Sequence, residues 1–338
     1  MECPVNLSLL GVILIIGVAL TFDFINGMHD AANSIATVVS TRVLRPIQAV
    51  IWAALFNFVA AFTFGVSVAN TVGKGTISTS IVDERLVLAA LLGAIVWDML
   101  TWYWGLPSSS SHALVGGLIG AGVVKAGWHV VVAPGLEKTG VFIIASPIIG
   151  FILATLLTSL LRAVFRNVRP SLANPVFRRL QLLSSAAVSL GHGTSDAQKT
   201  MGIISVLLFS TGHLGSHFYV PLWVVLAAHT AIALGTLAGG WRIVQTMGSR
   251  LTLLEPYGGF SAEFSAAASI IYSARLGVPV SSTHTIAGAI AGVGSARRAS
   301  AVRWRLAQSI VWAWIVTIPA AAVVAALFWL LLRLLPGG

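Results

Sequence analysis

The chain has 338 residues, of which 57% are apolar and only 9% charged, against about 25% charged in an ordinary soluble domain. Too few charges remain to clothe a water-facing surface. A soluble enzyme, a disordered tail and a secreted scaffold are excluded, and the chain reads as an integral membrane protein.

The net charge of +10 lies mainly in short clusters between apolar runs, such as Arg162, Arg166, Arg169, Arg178 and Arg179, or Arg297, Arg298, Arg303 and Arg305. That is the distribution left by the positive-inside rule, and no nucleic-acid partner is expected. The single Cys3 leaves no internal disulfide, CxxC redox pair or cysteine metal site. In chain order, Leu7–Phe22 is apolar, with Glu2 and no basic residue before it and no small-residue cleavage pattern. It is predicted to be a retained first span and not a signal peptide, and no mitochondrial-type leader is expected.

Charge-free stretches follow between Arg45 and Lys74, Asp98 and Lys125, Lys138 and Arg162, Lys199 and Arg242, Arg275 and Arg297, and Arg305 and Arg333. A crossing needs roughly 20 apolar residues. Several stretches hold one, and Lys199–Arg242 holds nearly two. With the more polar segments 86–104, 180–198 and 259–275, the expectation is about ten crossings. The runs are continuous, without period-two alternation, which favours helices over a barrel.

One arrangement is present twice. Gly27-Met28-His29-Asp30-Ala31-Ala32-Asn33-Ser34 aligns with Gly193-Thr194-Ser195-Asp196-Ala197-Gln198-Lys199-Thr200, 166 residues later. Gly105-Leu106-Pro107-Ser108-Ser109-Ser110-Ser111-His112 aligns with Gly277-Val278-Pro279-Val280-Ser281-Ser282-Thr283-His284, 172 residues later, and the match continues through Gly116/Gly288, Gly120/Gly292 and Gly122/Gly294. Placing 42–45, 162–179, 242–250 and 295–305 in the cytoplasm puts thirteen Arg inside, with Lys74, Arg85, Lys125, Lys138, Arg275 and Arg333 opposite. Each half then crosses five times, so the halves are inverted repeats: 1–161, a basic cytoplasmic linker 162–179, and 180–338. Inverted repeats with polar, Gly/Pro-interrupted segments at matching positions mark secondary transporters with a site near mid-membrane.

An aspartate within a span costs roughly 2.5–3.5 kcal/mol on insertion scales. Asp30 and Asp196 are therefore either N-caps of helices that begin there or, as their duplication favours, a cation or proton site aided by Asn33. Their carboxylate, amide and hydroxyl neighbours suit Na⁺ as a hard ion; a proton is the alternative. Pro107 and Pro279 mark helix ends. Ser109, Ser110 and Ser111, with Ser281, Ser282 and Thr283, then offer hydroxyls at helix N-termini, where free N–H groups and the helix dipole favour an anion. Two such termini related by pseudo-symmetry suit a tetrahedral oxyanion. His112 and His284 are read equally well as relays or structural caps. Glu263 is read as a carboxylate turned into the transport path, and Asn57 as facing the bundle. Lys199 either neutralises the anion or pairs with a carboxylate.

These segments, with Gln245-Thr246-Met247-Gly248 and Gly259-Phe260-Ser261-Ala262-Glu263, resemble the signatures of the inorganic phosphate transporter (PiT) family over about residues 10 to 330. The resemblance implies an all-α integral membrane protein of about 10–12 helical segments, with two inverted-topology repeats and Ser-rich hairpins, the segments 86–124 and 259–294 being either paired spans or re-entrant hairpins plus spans. It implies a symporter, not an enzyme, moving inorganic phosphate with H⁺ or Na⁺ by alternating access. Asp30, Asn33, Asp196 and Glu263 would serve the coupling ion, with Asp30 and Asp196 as Na⁺ ligands. Ser109, Ser110, Ser111, Ser281, Ser282, Thr283 and Lys199 would serve phosphate, bare or as a metal complex. Asn57 stands where some relatives carry a carboxylate. The short 162–179 linker suggests a bacterial inner-membrane protein, and the charge placement puts both termini in the periplasm. The expected partners are phosphate and the lipid bilayer, with a homodimer as one option and the oligomeric state left open by the sequence. Another oxyanion, such as sulfate, is the alternative cargo. A membrane-embedded hydrolase is disfavoured, because a nucleophile site would be asymmetric whereas these polar sets are duplicated.

Overall fold

A mainly apolar sequence without proline forms α1 (Leu9–Ser40), 32 residues long. The computed structural model describes residues 9–334 except 64, 66–68, 70–74, 216 and 277–279. Glu2, Cys3, Lys74, Gly277, Val278 and Pro279 thus lie outside the described residues.

Pro46 opens α2 (Pro46–Val59), and Asp83 caps α3 (Glu84–Trp104) by accepting the Leu86 N–H at 2.9 Å. Gly105, at φ +67°, stops α3 in the left-handed conformation that glycine adopts without strain. The chain turns through 106–109 into α4 (Ser110–Ala126) and continues into α5 (Ala133–Val164). The second half begins with α6 (Pro170–Ser210), followed by α7 (Leu222–Ala238) and α8 (Trp241–Gln245), which runs on as one π-turn over Thr246–Arg250. It ends with α9 (Pro256–Arg275), α10 (Ser282–Arg297) and α11 (Trp304–Leu332).

The repeat predicted from the motifs extends to whole elements. α3, α4 and α5 start at 84, 110 and 133, and α9, α10 and α11 at 256, 282 and 304. Packing between the halves is reciprocal: α4 lies on α11 while α10 lies on α5, and α1 lies on α7 while α6 lies on α2. The first exchange is built on paired glycines. A Cβ at Gly116 or Gly120 would stand 2.4 and 2.0 Å from the Ile318 and Ala322 carbonyl oxygens. At Gly288 or Gly292 it would stand 2.2 and 2.3 Å from those of Pro147 and Phe151. Small residues let backbones meet where lipid supplies no hydrophobic drive for helix association.

Four described helices are long and apolar enough to cross a membrane alone: α1, α3, α5 and α11. A fifth is α7 taken with 241–250, bent by 63° at the break. α6 is the longest at 41 residues, yet Gln181, Ser184, Ser185, Ser189, His192, Asp196, Lys199 and Thr200 dilute its apolarity. All eight are buried by neighbouring helices. α5 and α11 lie outermost, with Ile144 65%, Leu156 63% and Leu331 60% exposed. Apolar surface of that extent belongs against lipid, so the protein is a multi-pass membrane protein.

The basic segments converge as the charge pattern predicts, with one exception. Arg178 donates to the Arg42 carbonyl at 2.8 Å, Arg162 to that of Ala296 at 2.8 Å, and the Arg303 N–H to that of Leu251 at 3.0 Å. Arg242, expected on the same side, instead donates to the Tyr103 carbonyl at 2.5 Å and lies 4.7 Å from the Tyr103 ring centroid. It thus places a cation at the C-terminus of α3. The expected linker 162–179 contains the end of α5 and the first turns of α6, with only 165–169 between them.

Because the two glycine seams are equivalent, Gly120→Val and Gly292→Val should destabilise to a similar degree, each by about 1–3 kcal/mol of overpacking. Melting curves in detergent check this; a variant that melts with the parent chain would mean that its seam opens without cost.

Candidate functional site

The Asp motifs lie inside continuous helices. Asp30 is the twenty-second residue of α1, and Asp196 lies well within α6, so neither is an N-cap. On α1, residues 23, 26, 30, 33 and 37 recur at intervals of three and four, which aligns them on one face. Asp23, Asn26, Asp30, Asn33 and Thr37 are all buried.

At the middle of this stripe three groups come together. Oxygens of Asp30 and Asp196 and a ring nitrogen of His192 all lie within 4.8 Å of one another. His192 Nε2 is 3.2 Å from Asp196 Oδ2 and 3.9 Å from Asp30 Oδ2. Asn57 donates through Nδ2 to Thr236 Oγ1 at 2.8 Å, so its Oδ1 is left to accept from His192 Nδ1–H at 3.3 Å. That assignment points the Nε2 lone pair at two carboxylates unless a proton or a cation stands between them. His192 was not singled out in the sequence. Its signal is its position four residues before Asp196, aligned with Asn26 of the first repeat.

The hairpin tips supply hydroxyls to this centre, each to the opposite repeat. Ser111, at the start of α4, donates to Asp196 Oδ1 at 3.2 Å, and Thr283, at the start of α10, donates to Asp30 Oδ2 at 3.1 Å. Ser282 donates to Asp196 Oδ2 at 2.8 Å. Asn33 donates to Ser282 at 3.2 Å and Thr283 at 2.9 Å. Its repeat mate Lys199 pairs with Asp196 and also donates to Ser111. Ser109 and Ser281 are N-caps, accepting from the His112 and His284 N–H groups. Ser110 Oγ is buried without a partner.

Of the residues singled out above, the structure therefore gathers Asp30, Asn33, Asp196, Lys199, Ser111, Ser282 and Thr283. Glu263 forms a separate station. It accepts from Thr37, from Ser184 at 2.5 Å and from Gln181 at 3.1 Å, with Thr41 donating to Gln181 at 3.0 Å. His112 and His284 back the hairpins: their rings are 4.8 Å apart, and His284 stacks on Trp314 at 4.0 Å. Trp314 donates from its indole N–H to the Pro107 carbonyl at 2.9 Å, joining both tips. His284 Nδ1 lies 3.4 Å from the Ile143 carbonyl, which Pro147, lacking an N–H, leaves without a helical donor.

His29 donates from Nδ1 to Asp30 Oδ1 at 2.8 Å and faces Thr101 Oγ1 through Nε2 at 3.0 Å. A cavity lined by Gly75, Thr76, Lys138 and Thr139 reaches Ser111, His112 and Lys199, from the end of α5 remote from the basic segments. The arrangement combines a carboxylate centre that calls for positive charge with two helix starts that present hydroxyl and N–H donors. It suits an anion and a cation bound side by side.

Comparison with known proteins agrees with this geometry. The profile of the phosphate transporter family matches twice, over residues 26–174 and 166–325, once per repeat. A "Probable low-affinity inorganic phosphate transporter" of Rhizobium meliloti (strain 1021) is 59% identical over 313 residues, 93% of this chain and 94% of that one. A protein of the same name from Bacillus subtilis (strain 168) is 41% identical over 98% of this chain and 99% of its own. A solved structure described as the sodium-dependent phosphate transporter superposes with a TM-score of 0.86 at 25% identity, over 97% of this chain and all of the other. The duplicated motifs, the duplicated helices and these matches place the chain in the phosphate transporter family.

Proposed function

We propose that the chain is a symporter that carries inorganic phosphate with a cation, bound together between the hairpin tips and the middles of α1 and α6. Phosphate takes the hydroxyls and N–H groups of Ser109, Ser110, Ser111, Ser281, Ser282 and Thr283, with Lys199 as countercharge. The cation takes Asp30 and Asp196, aided by Asn33, and Glu263 is a further cation station at the end of the polar stripe. Na⁺ is the preferred cation, since the matched solved structure is named sodium-dependent and most of the donors are hard oxygens. The two relatives named for inorganic phosphate support phosphate as the cargo.

The observation that carries this reading is the contact of Ser111, Ser282 and Thr283 with the two carboxylates. A hydroxyl has one hydrogen to donate. While Asp30 and Asp196 accept those hydrogens, an oxyanion cannot, and it would also face two like charges. A cation on the carboxylates relieves both restraints: the hydroxyls turn their hydrogens to phosphate and their lone pairs to the cation. Each ligand thereby raises the affinity for the other, and by linkage the effect is reciprocal. The cavity at one end supports alternating access, with the basic end cytoplasmic.

Uptake of labelled phosphate into proteoliposomes, with Na⁺ and pH gradients imposed separately, tests this. A gradient of one cation should drive accumulation, and sulfate in excess should leave it unchanged; sulfate uptake at an equal rate would make the site a general oxyanion carrier. Asp30→Asn and Asp196→Asn should each abolish gradient-driven uptake while the protein stays folded in detergent. Wild-type uptake by either variant would remove that residue from the coupling site.

Ser111→Ala and Thr283→Val each remove one donor, worth about 1.5–3 kcal/mol to a charged ligand, or roughly ten- to hundredfold in affinity. Their double variant should be non-additive, because both contact one ligand. Ser109→Ala, at a cap, should instead cost about 1 kcal/mol of stability with a smaller change in phosphate affinity. Titrations and melting curves on these variants distinguish the two classes.

A further inference from the structure

The polar stripe of α1 begins seven residues before Asp30, at a carboxylate that the reading above does not use. Asp23 is fully buried, and neither of its oxygens has a hydrogen-bond partner. Asn26, one turn further along α1, and Thr200, on α6, lie within reach of that carboxylate. Asn26 Oδ1 and Thr200 Oγ1 are themselves buried and unpartnered, and both residues are at most 2% exposed. Asn26 and Thr200, from two helices, thus face the carboxylate as its polar neighbours without a well-formed hydrogen bond closing on it.

Oxygens gathered in this way inside a membrane protein call for positive charge. An isolated buried carboxylate is costly, and unpaired buried amide and hydroxyl oxygens add to that cost. A mobile cation on the carboxylate answers these costs together. The donors are hard oxygens, with no imidazole or sulfur among them, which selects alkali or alkaline-earth ions over transition metals. Only one of the three residues is acidic, and the Lys199 cation is close enough to act on it, so a divalent ion is disfavoured. The other charged group whose field reaches Asp23 is Asp196.

We propose that Asp23, Asn26 and Thr200 form a second binding site for a monovalent alkali cation, Na⁺, about 10 Å along α1 from Asp30. The site extends the coupled-transport reading and rests on it. It lies toward the N-terminal end of α1, whereas the Glu263 station lies toward the other end, so a carboxylate stands on each side of the central pair. Neither outer carboxylate has an acidic mate in the other repeat: Ser189 aligns with Asp23, and Leu91 with Glu263.

Equilibrium binding of ²²Na⁺ to the purified full chain, in phosphate-free buffer at fixed pH, tests the site. Asp23→Asn should lower the number of Na⁺ ions bound per chain at saturation. Thr200→Val, which keeps the side-chain shape, should weaken binding at that site by about tenfold. Asp30→Asn should leave it in place while removing central binding. Unchanged stoichiometry and half-saturation in both Asp23→Asn and Thr200→Val overturns the proposal, as does wild-type protein that binds no Na⁺. Loss of binding in Asp30→Asn with none in the other two would keep the central reading and remove this one; the converse would keep the Asp23 site and remove the central one. Thr200→Val carries the test if Asp23→Asn fails to fold.

Discussion

Two carboxylates facing one imidazole nitrogen where water is scarce impose the condition that the rest of this protein answers. Asp30 and Asp196 approach His192 within 4.8 Å, and charges so placed repel far more strongly in a protein interior than in water. The surrounding residues counter this in two ways. Lys199 and His29 lie directly on the carboxylates, and hydroxyls arrive from both hairpins. Counting Asp30, Asp196 and Lys199 with neutral histidines, the centre carries one net negative charge. Adding a phosphate dianion makes the deficit three, which a low-dielectric chamber cannot hold alone. Under the proposed reading phosphate would therefore enter together with cations, and coupling would follow from charge balance.

The fold makes that condition workable by bringing the hairpin tips to the middles of α1 and α6. Each hairpin tip is a helix start, with unsatisfied N–H groups and capping serines. Each is held from behind by the last helix of the other half, through glycine seams that bring backbones into direct contact. Trp314 joins both tips through a stacked His284 and a hydrogen bond to Pro107. Each half is thereby in direct contact with the hairpin of the other. In the proposed transport cycle, this reciprocity lets the site open to one side as it closes to the other while its ligands stay gripped.

Much of this was legible before any coordinates. The 172-residue offset of the Ser motifs is also the offset of the helices that carry them, because a duplicated backbone keeps its spacing. Asp30, Asp196 and the Ser/Thr runs stood out because polar groups in apolar spans are costly and were present twice. What local spacing cannot show is which hydroxyl meets which carboxylate. Asn33 and Thr283 touch across 250 residues, a pairing set by tertiary packing alone. His192 and Asp23 were readable in principle, as polar positions on the same helical faces as Asp196 and Asp30. They lie outside the duplicated octads, and a reading weighted toward duplication passes over them. Arg242 shows the limit of counting charge by segment: one arginine left its cluster to cap the nearby C-terminus of α3.

The same weighting hides what makes the two halves different. The backbone is duplicated, but the charges are not. Asn33 of the first repeat aligns with Lys199, His29 with Ser195, and Asn26 with His192. At equivalent points the second repeat therefore carries a tethered cation where the first carries an amide. A lysine fixed to Asp196 is a positive charge that cannot leave, and it lowers the number of mobile cations that this carboxylate demands. Asp30 has histidine in that role, and Asp23 has no basic residue paired with it among the described residues. Mobile cations should accordingly be held on the α1 side, while α6 contributes permanent countercharge. In the proposed cycle a symmetric scaffold would make the two facing states alike in packing, and the asymmetric charges would decide which ions travel with the substrate.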